Sequence, residues 1–380
     1  MNFDLTSEQK AIQEAARNFT QTELLPGVLE RDAASEFPVD AYKKLGDLGF
    51  IGLPYAKEFG GQGAGYLAYA LAVEEISKVD ASVGIAYSVS TSLYGGSIMN
   101  SAATDVQKKA FLPEVLSGKT FGSFGLTEPG AGSDAGGCIT TAVKDGDKYI
   151  LNGLKCFNTN GPLAGYSVIY ALTEPEQKAK GLSAFVVEKG MPGLKIGNIE
   201  DKMGIRSAQV SELILEDVCV PAENLITKHG KGFSLAMKTL DGGRIGVAAQ
   251  GLGIAEGAFE AAVEYLKTRE QFGKPIFKNQ YIAFKMAELE IEIESAKYLL
   301  YKAAIDKDEG KPYSISAAKA KYACTNAAMH VTTEAVQFMG GNGYMKGYHV
   351  ERMMRDAKIT QIYEGTNEIQ KLIISGALFR

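Results

Sequence analysis

Near the C-terminus, Gln361-Ile-Tyr-Glu-Gly-Thr-Asn-Glu-Ile-Gln370 sets one carboxylate, Glu364, directly before Gly365 and ahead of an amphipathic stretch. A carboxylate at a loop-to-helix junction can face a cleft while nearby backbone N–H groups remain free to bind an oxygen. That is the equipment for removing a proton next to a carbonyl: a base, and a donor for the charge that develops on the carbonyl oxygen. Taken alone, such a stretch is more often an ordinary turn and helix cap.

Other segments share this ambiguity. Phe124-Gly-Leu-Thr-Glu-Pro-Gly-Ala-Gly-Ser-Asp134 reads as a loop rich in glycine and hydroxyls, able to offer N–H groups to a polar ligand. It lacks the surrounding βαβ pattern of a dinucleotide fingerprint, and taken alone a generic glycine loop is the better reading. Cys156-Phe-Asn-Thr-Asn-Gly161 follows an expected strand, and its aromatic residue could cover a flat ring, or simply end the strand in a turn. In Asp241-Gly-Gly-Arg244, Arg244 could bind a carboxylate or phosphate, or sit in a surface ion pair. Arg269 to Gly273 and Gln337 to Gly341 are polar, glycine-containing breaks between helices.

The elements that must hold these groups fall into three regions. Residues 1–118 read as helical: Thr6 and Gln9 form a capping box, Thr104 caps a helix from Asp105, Pro113 breaks or restarts it and Gly118 closes the segment. Residues 119–228 read as a β domain of six or more strands, including Ile139–Lys144 and Lys148–Asn152 around the hairpin signal Asp145-Gly-Asp147. Ser167–Leu172, Leu182–Glu188 and Val210–Glu216 are further strands. Residues 229–380 return to helix. Leu252, Ala255, Phe259, Ala262 and Leu266 form one apolar stripe, with Glu256, Glu260 and Glu264 on other faces; Ile282, Met286, Leu289, Ile293, Ala296 and Leu300 form a second.

Composition sets outer limits. The 380 residues are 46% hydrophobic and 22% charged, with net charge -5. That is ordinary for a globular chain, without the basic excess of a nucleic-acid binder. No apolar run reaches membrane-span length. The start, Met1 to Glu8, lacks the features of a secretory or transit leader. Cys138, Cys156, Cys219 and Cys324 are widely spaced, as are His229, His330 and His349, so no metal site is expected and free thiols in a reducing cytoplasm are.

Thr127-Glu-Pro-Gly-Ala-Gly-Ser-Asp134, Arg269 with Gln271-Phe-Gly273, Gln337 to Gly343, Arg355-Asp-Ala-Lys358 and Tyr363-Glu-Gly-Thr366 occur in one order along the chain. In that order they resemble the acyl-CoA dehydrogenase family, and its short-chain, butyryl-CoA dehydrogenase-like branch in particular, over essentially the whole chain. The resemblance implies an α+β fold: an N-terminal helical domain, a central β-barrel-like domain and a C-terminal four-helix bundle. It implies FAD, a homotetramer built as a dimer of dimers, and electron-transfer flavoprotein as electron acceptor. Flavin contacts would come from Phe124, Leu126, Thr127, Gly132, Ser133, Phe157, Asn158 and Thr159. Arg269, Gln271, Phe272, Gln280, Gln337, Phe338, Met339, Gly340 and Gly341 would reach the cofactor from an adjoining subunit, completed by Thr366, Asn367 and Glu368. Ser133, Asp241, Gly242, Gly243, Arg244 and Gly365 would border the acyl-CoA, with Thr91 a further polar group on the acyl-pocket helix.

Glu364 matches the family's catalytic base. Some branches carry the base directly before the arginine of the Asp241–Arg244 segment, where this chain has Gly243. Two departures are Phe157, where many members have tryptophan, and Asn158, where isoleucine is common; they put ring packing and flavin potential in question. The implied reaction is α-proton removal by Glu364 with β-hydride transfer to flavin. The thioester carbonyl would be held by the Glu364 N–H and the flavin ribityl chain. The substrate would be a short acyl-CoA, linear, branched or cyclic. An acyl-CoA oxidase, usually a longer chain, and a flavin-binding relative without catalysis are the alternatives.

Overall fold

The computed structural model describes residues 4–379. Met1–Phe3, part of the stretch read for a leader, lie outside the described residues. The first helix, Ser7–Phe19, starts at the expected reciprocal cap, with the Gln9 N–H donating to the Thr6 hydroxyl at 3.2 Å and the Thr6 N–H to the Gln9 side chain at 2.9 Å. Thr104 and Gln107 repeat the device ahead of Asp105–Phe111. Pro113 then opens Pro113–Leu116, and Gly118 turns the chain at φ +72°.

Seven strands follow: β1 (Phe121–Gly125), β2 (Thr141–Asp145), β3 (Lys148–Thr159), β4 (Ala164–Leu172), β5 (Leu182–Glu188), β6 (Leu194–Ile199) and β7 (Val210–Pro221). They pair in the order β1-β4-β2-β3-β7-β6, with β5 also on β4. The β2–β3 hairpin pairs Asp145 with Lys148 around a two-residue turn in which Gly146 takes φ +62°. The sheet curls over its own apolar cluster, which includes Tyr149, Leu151, Phe185, Leu213 and Val220. Two strands depart from expectation. Phe124 belongs to β1 rather than to a loop, because β1 lies parallel to β4 and pairs Phe124 with Val168. β6 escaped notice because Leu194-Lys-Ile-Gly-Asn-Ile199 is short, polar and mostly exposed.

Beyond the sheet, long helices pack together: Gly232–Thr268, Gln280–Asp308, Ser314–Met339, His349–Thr360 and Asn367–Leu378. The first lies between this bundle and the buried N-terminal helix Gly65–Ser77. A Cβ on Gly253 or Gly257 would stand 2.2 Å from the carbonyl oxygens of Glu74 or Lys78, so only glycine admits this crossing distance. Burial on all sides also corrects the expectation for Glu256. It is buried and paired with Lys78 at 2.8 Å and with Lys297, not on an outer face.

Candidate active site

Glu364 sits in the turn joining His349–Thr360 to Asn367–Leu378. It takes φ +52° and Gly365 φ +92°, two consecutive residues in the left-handed region. For a non-glycine residue that conformation costs about 1–3 kcal/mol and persists only where surroundings impose it. Several contacts impose it here. The Lys321 ammonium donates to the Gly365 carbonyl at 2.8 Å and to Asn367 Oδ1 at 3.1 Å. Gln370 donates to the same carbonyl at 2.8 Å, and Thr366 caps the helix through the Ile369 N–H. Tyr363 donates to Gln250, which in turn donates to the Ala81 carbonyl at 2.9 Å.

The carboxylate so presented is unusual. Both Glu364 oxygens are buried, and neither has a hydrogen-bond partner among the described residues. Burial pushes the carboxyl up to about 7, against the opposing pull of Lys321 and Arg244. A base whose proton affinity matches neutral pH and whose lone pairs are uncommitted is ready to take a proton from carbon. Burial likewise brings the Lys321 ammonium down to about 7, with Glu364 opposing that fall.

The opposite wall is the helix Gly232–Thr268. A Cβ on Gly243 would fall 2.0 Å from Glu364 Oε2 and 2.8 Å from the Leu93 side chain. Gly243 is thus the notch that receives the carboxylate. The same space is reachable from either element, which explains how a base could be mounted on one or the other. One turn further, a Cβ on Gly246 would meet the Tyr69 hydroxyl at 2.2 Å and the Ser88 hydroxyl at 2.3 Å. Arg244 is buried, its guanidinium donates to Asp241, and Asp241 also accepts from Ser314 at 2.9 Å. Gly242 faces the Lys307 ammonium, which stacks on the Tyr66 ring at 3.8 Å. Leu93 and Thr91 belong to a π-helical stretch, Val89–Gly95. Thr91 does not offer its hydroxyl to this space, since it donates to the Ile51 carbonyl at 2.7 Å.

The β-domain residues form a separate group. Glu128, buried, accepts from Lys155 at 2.6 Å and from the N–H groups of Ile139 and Thr140 at 2.7 and 3.1 Å. This clamp holds the loop that carries Thr127, Gly132 and exposed Ser133, and open space lies over Gly130 and Gly132. Leu126 is buried, and its carbonyl accepts from Lys155 at 3.2 Å. Phe157 stands at a bulge in β3 with φ +56° and is 66% exposed, a free aromatic face. Asn158 turns inward and donates to the Ser211 carbonyl at 2.9 Å, so its amide N–H is spent within the sheet. Thr159 gives its carbonyl to Ser123. Phe124 packs on Tyr170.

A third group collects at the far end of the bundle. Arg269, Gln271, Phe272, Gln280, Gln337, Gly340 and Gly341 are all exposed there. Asn342 donates to the Tyr265 hydroxyl at 2.9 Å and ties the two segments together. Phe272, fully exposed with φ +52°, tips a two-stranded hairpin. Phe338 is half-buried and Met339 buried. Lys321 and Gln337 lie sixteen residues apart on one helix, about 24 Å at 1.5 Å per residue, so within one chain this group stands well away from Glu364. Asn367 is an internal anchor, donating to Thr325 and Asn326 at 3.0 Å, whereas Glu368 is exposed.

Sequence reasoning missed Lys155, Tyr69 and Lys321. Only Lys321 had a usable signal: a lysine on the buried stripe of Ala317, Cys324, Ala328 and Val331.

Comparison with known proteins accords with this arrangement. The chain matches the profiles described as acyl-CoA dehydrogenase N-terminal domain over residues 6–119, middle domain over 123–218 and C-terminal domain over 230–379. It is 52% identical to a short-chain specific acyl-CoA dehydrogenase of Clostridium acetobutylicum, covering all of both chains. Its structure is similar to that of butyryl-CoA dehydrogenase from Megasphaera elsdenii, with TM-score 0.98 and 49% identity over all of both chains. A chain solved in work on the electron transferring flavoprotein of Acidaminococcus fermentans and flavin-based electron bifurcation matches at TM-score 0.99 and 52% identity, again over all of both chains. The chain belongs to the acyl-CoA dehydrogenase family.

Proposed function

We propose that this protein oxidises a short-chain acyl-CoA to the 2-enoyl-CoA, with Glu364 as the base. The observation that carries the reading is the buried Glu364 carboxylate, without a hydrogen-bond partner among the described residues and seated against Gly243. The acyl thioester lies beside this carboxylate. Among the described residues the Glu364 N–H donates to no backbone carbonyl, which leaves it as a donor for the thioester oxygen. That bond stabilises the charge that builds as Glu364 takes the α-proton. Leu93, Tyr69 and Ser88 limit the space beyond Gly243 and Gly246, which favours a small acyl group.

FAD, when bound, supplies the acceptor for the hydride that leaves the β-carbon. The residues present fit it: the exposed Phe157 ring, the open backbone over Gly130 and Gly132, and the hydroxyls of Thr127, Ser133 and Thr159. Arg269, Gln280 and the 337–341 segment hold the cofactor of a second copy. The exposed stripe Tyr281, Phe284, Ile291 and Tyr298 on the helix Gln280–Asp308 supports such packing, in a tetramer. Electrons pass on to an electron-transfer flavoprotein, a reading supported by the Acidaminococcus neighbour. Four free cysteines, three of them buried, fit a cytoplasmic setting, and no helix is long and apolar enough to cross a membrane among the described residues.

The test is anaerobic mixing of the flavin-loaded protein with butyryl-, isobutyryl-, octanoyl-, glutaryl- and cyclohexanecarbonyl-CoA. Rapid bleaching of the visible flavin band by butyryl-CoA is expected. Flavin that stays oxidised with every one of them would refute the reading.

A further inference from the structure

We infer that Lys321 is the positioning residue of the catalytic turn, fixing the Glu364–Gly365 conformation and setting a counter-charge against the Glu364 carboxylate. The inference rests on Glu364 being the base. Lys321 is fully buried in the middle of the helix Ser314–Met339, where its neighbours on the stripe are alanine, cysteine and valine. A buried lysine at such a place costs stability unless its ammonium is bonded. Here it is bonded to the backbone of the turn itself: to the Gly365 carbonyl at 2.8 Å and to Asn367 Oδ1 at 3.1 Å. Asn367 is fixed by Thr325 and Asn326 of the lysine's own helix, and its N–H donates to the Gln361 carbonyl at 2.9 Å. The turn is therefore stitched to one helix at both ends, with Lys321 under the residue next to the base.

The charge matters separately from the hydrogen bond. Facing Glu364 are two cations, Lys321 from the helix Ser314–Met339 and Arg244 from Gly232–Thr268, together with the Tyr69 and Tyr363 phenols. Facing Lys321 are Glu364, Arg244 and, from the following helix, Glu368. Arg244 is already committed to Asp241. Among the described residues no carboxylate is bonded to Lys321, so below about pH 7, where the ammonium is charged, it acts on Glu364 across the turn. Removing it deprives the ionised base of support and raises the pH at which Glu364 becomes competent.

The experiment compares flavin-loaded wild type, Lys321→Met, Lys321→Gln and Lys321→Arg in anaerobic reduction by butyryl-CoA from pH 5.5 to 9. Glutamine keeps a donor for the Gly365 carbonyl without the charge. The acid limb of the rate profile should move up by about one pH unit in both neutral variants, about tenfold in rate on that limb, and stay near wild type in the arginine variant. A second readout needs no turnover. Thermal unfolding of each variant is compared with its Glu364→Gln double mutant across the same pH range, and the upper edge of the pH window, where the difference levels off, should move up by the same amount while the lower edge stays. Neutral variants whose acid limb and unfolding window coincide with wild type overturn the inference. So does failure of both neutral variants to fold while arginine folds, which would leave Lys321 a purely structural cation. Loss of turnover in Glu364→Gln separates the two claims: if that variant turns over normally, it is the assignment of the base that has failed.

Discussion

Two buried carboxylates, each associated with a fully buried lysine, are treated in opposite ways. Glu128 in the β domain accepts from Lys155 at 2.6 Å and from two backbone N–H groups. Burial pushes its carboxyl up, but Lys155 and the N–H donors outweigh that and hold it below the usual carboxylate value. Glu364 accepts from none of the described residues, and burial takes it to about 7. Its lysine is bonded to the neighbouring carbonyl instead of to the carboxylate. Burial alone does not mark function, since both carboxyl groups are desolvated. What separates them is where the hydrogen bonds go. In the first case they lock a loop in place, and in the second they lock the backbone while leaving the carboxylate free to bind a proton.

Substitution to glutamine at each position should break the comparison in opposite directions. Glu364→Gln should fold and retain flavin but lose roughly 10⁴-fold in the rate of flavin bleaching, the upper end of a general base's contribution. A loss under tenfold in stopped flow would remove Glu364 from the chemistry. Glu128→Gln touches no reacting group but leaves Lys155 buried without its ion partner. It should lower unfolding free energy by about 3–5 kcal/mol, measured by denaturant titration. A near-neutral effect there would mean that the backbone and the Leu126 carbonyl suffice for the lysine.

Much of this organisation could be read from residue order, and the failures have physical causes. Capping boxes at Thr6 and Thr104 and the Asp145-Gly-Asp147 turn are local, so local pattern found them. Glu364 was legible because a carboxylate before a glycine and a capped helix is also a local arrangement. Lys155, Lys321 and Tyr69 acquire their surroundings only when elements distant in sequence meet. The Gly365–Lys321 contact spans 44 residues, and Glu128–Lys155 spans two separate parts of the sheet region. Glu256 misled because helical periodicity assigns one buried face, whereas the helix Gly232–Thr268 is enclosed on several sides. Thr91 spends its hydroxyl on the Ile51 carbonyl and Asn158 an amide N–H on the Ser211 carbonyl, partners that lie far away along the chain.

The comparison sharpens when stability is followed with pH. Glu364 binds its proton more tightly folded than unfolded. Below about pH 4 both states are protonated and the group costs nothing; as pH rises through 4.5 towards 7, the unfolded state ionises first and stability falls. The full cost above pH 7 is about 3 kcal/mol. Glu364→Gln should therefore be more stable than wild type at pH 8 and equal to it near pH 4, as followed by thermal unfolding. Glu128 has the reverse sign, and its contribution is lost as pH falls through its lowered folded value.

The smallest expected effect concerns the notch that receives the base. In Gly243→Ala the new methyl would compete with Glu364 Oε2 at 2.0 Å. The conflicting atom is the end of a side chain, not backbone, so the carboxylate rotates away and the helix stays where it is. Stability should change little, by less than about 1 kcal/mol, because the glycine-to-alanine gain within a helix offsets part of the strain. Turnover should fall roughly 10²-fold, the consequence of misplacing a reacting group by about 1 Å. Flavin bleaching by butyryl-CoA and a denaturant titration of the same preparation check both halves. Retained turnover would mean that Glu364 reaches the α-proton from a position other than the Gly243 notch. Lost stability with retained turnover would mean that Gly243 serves helix packing and not the base.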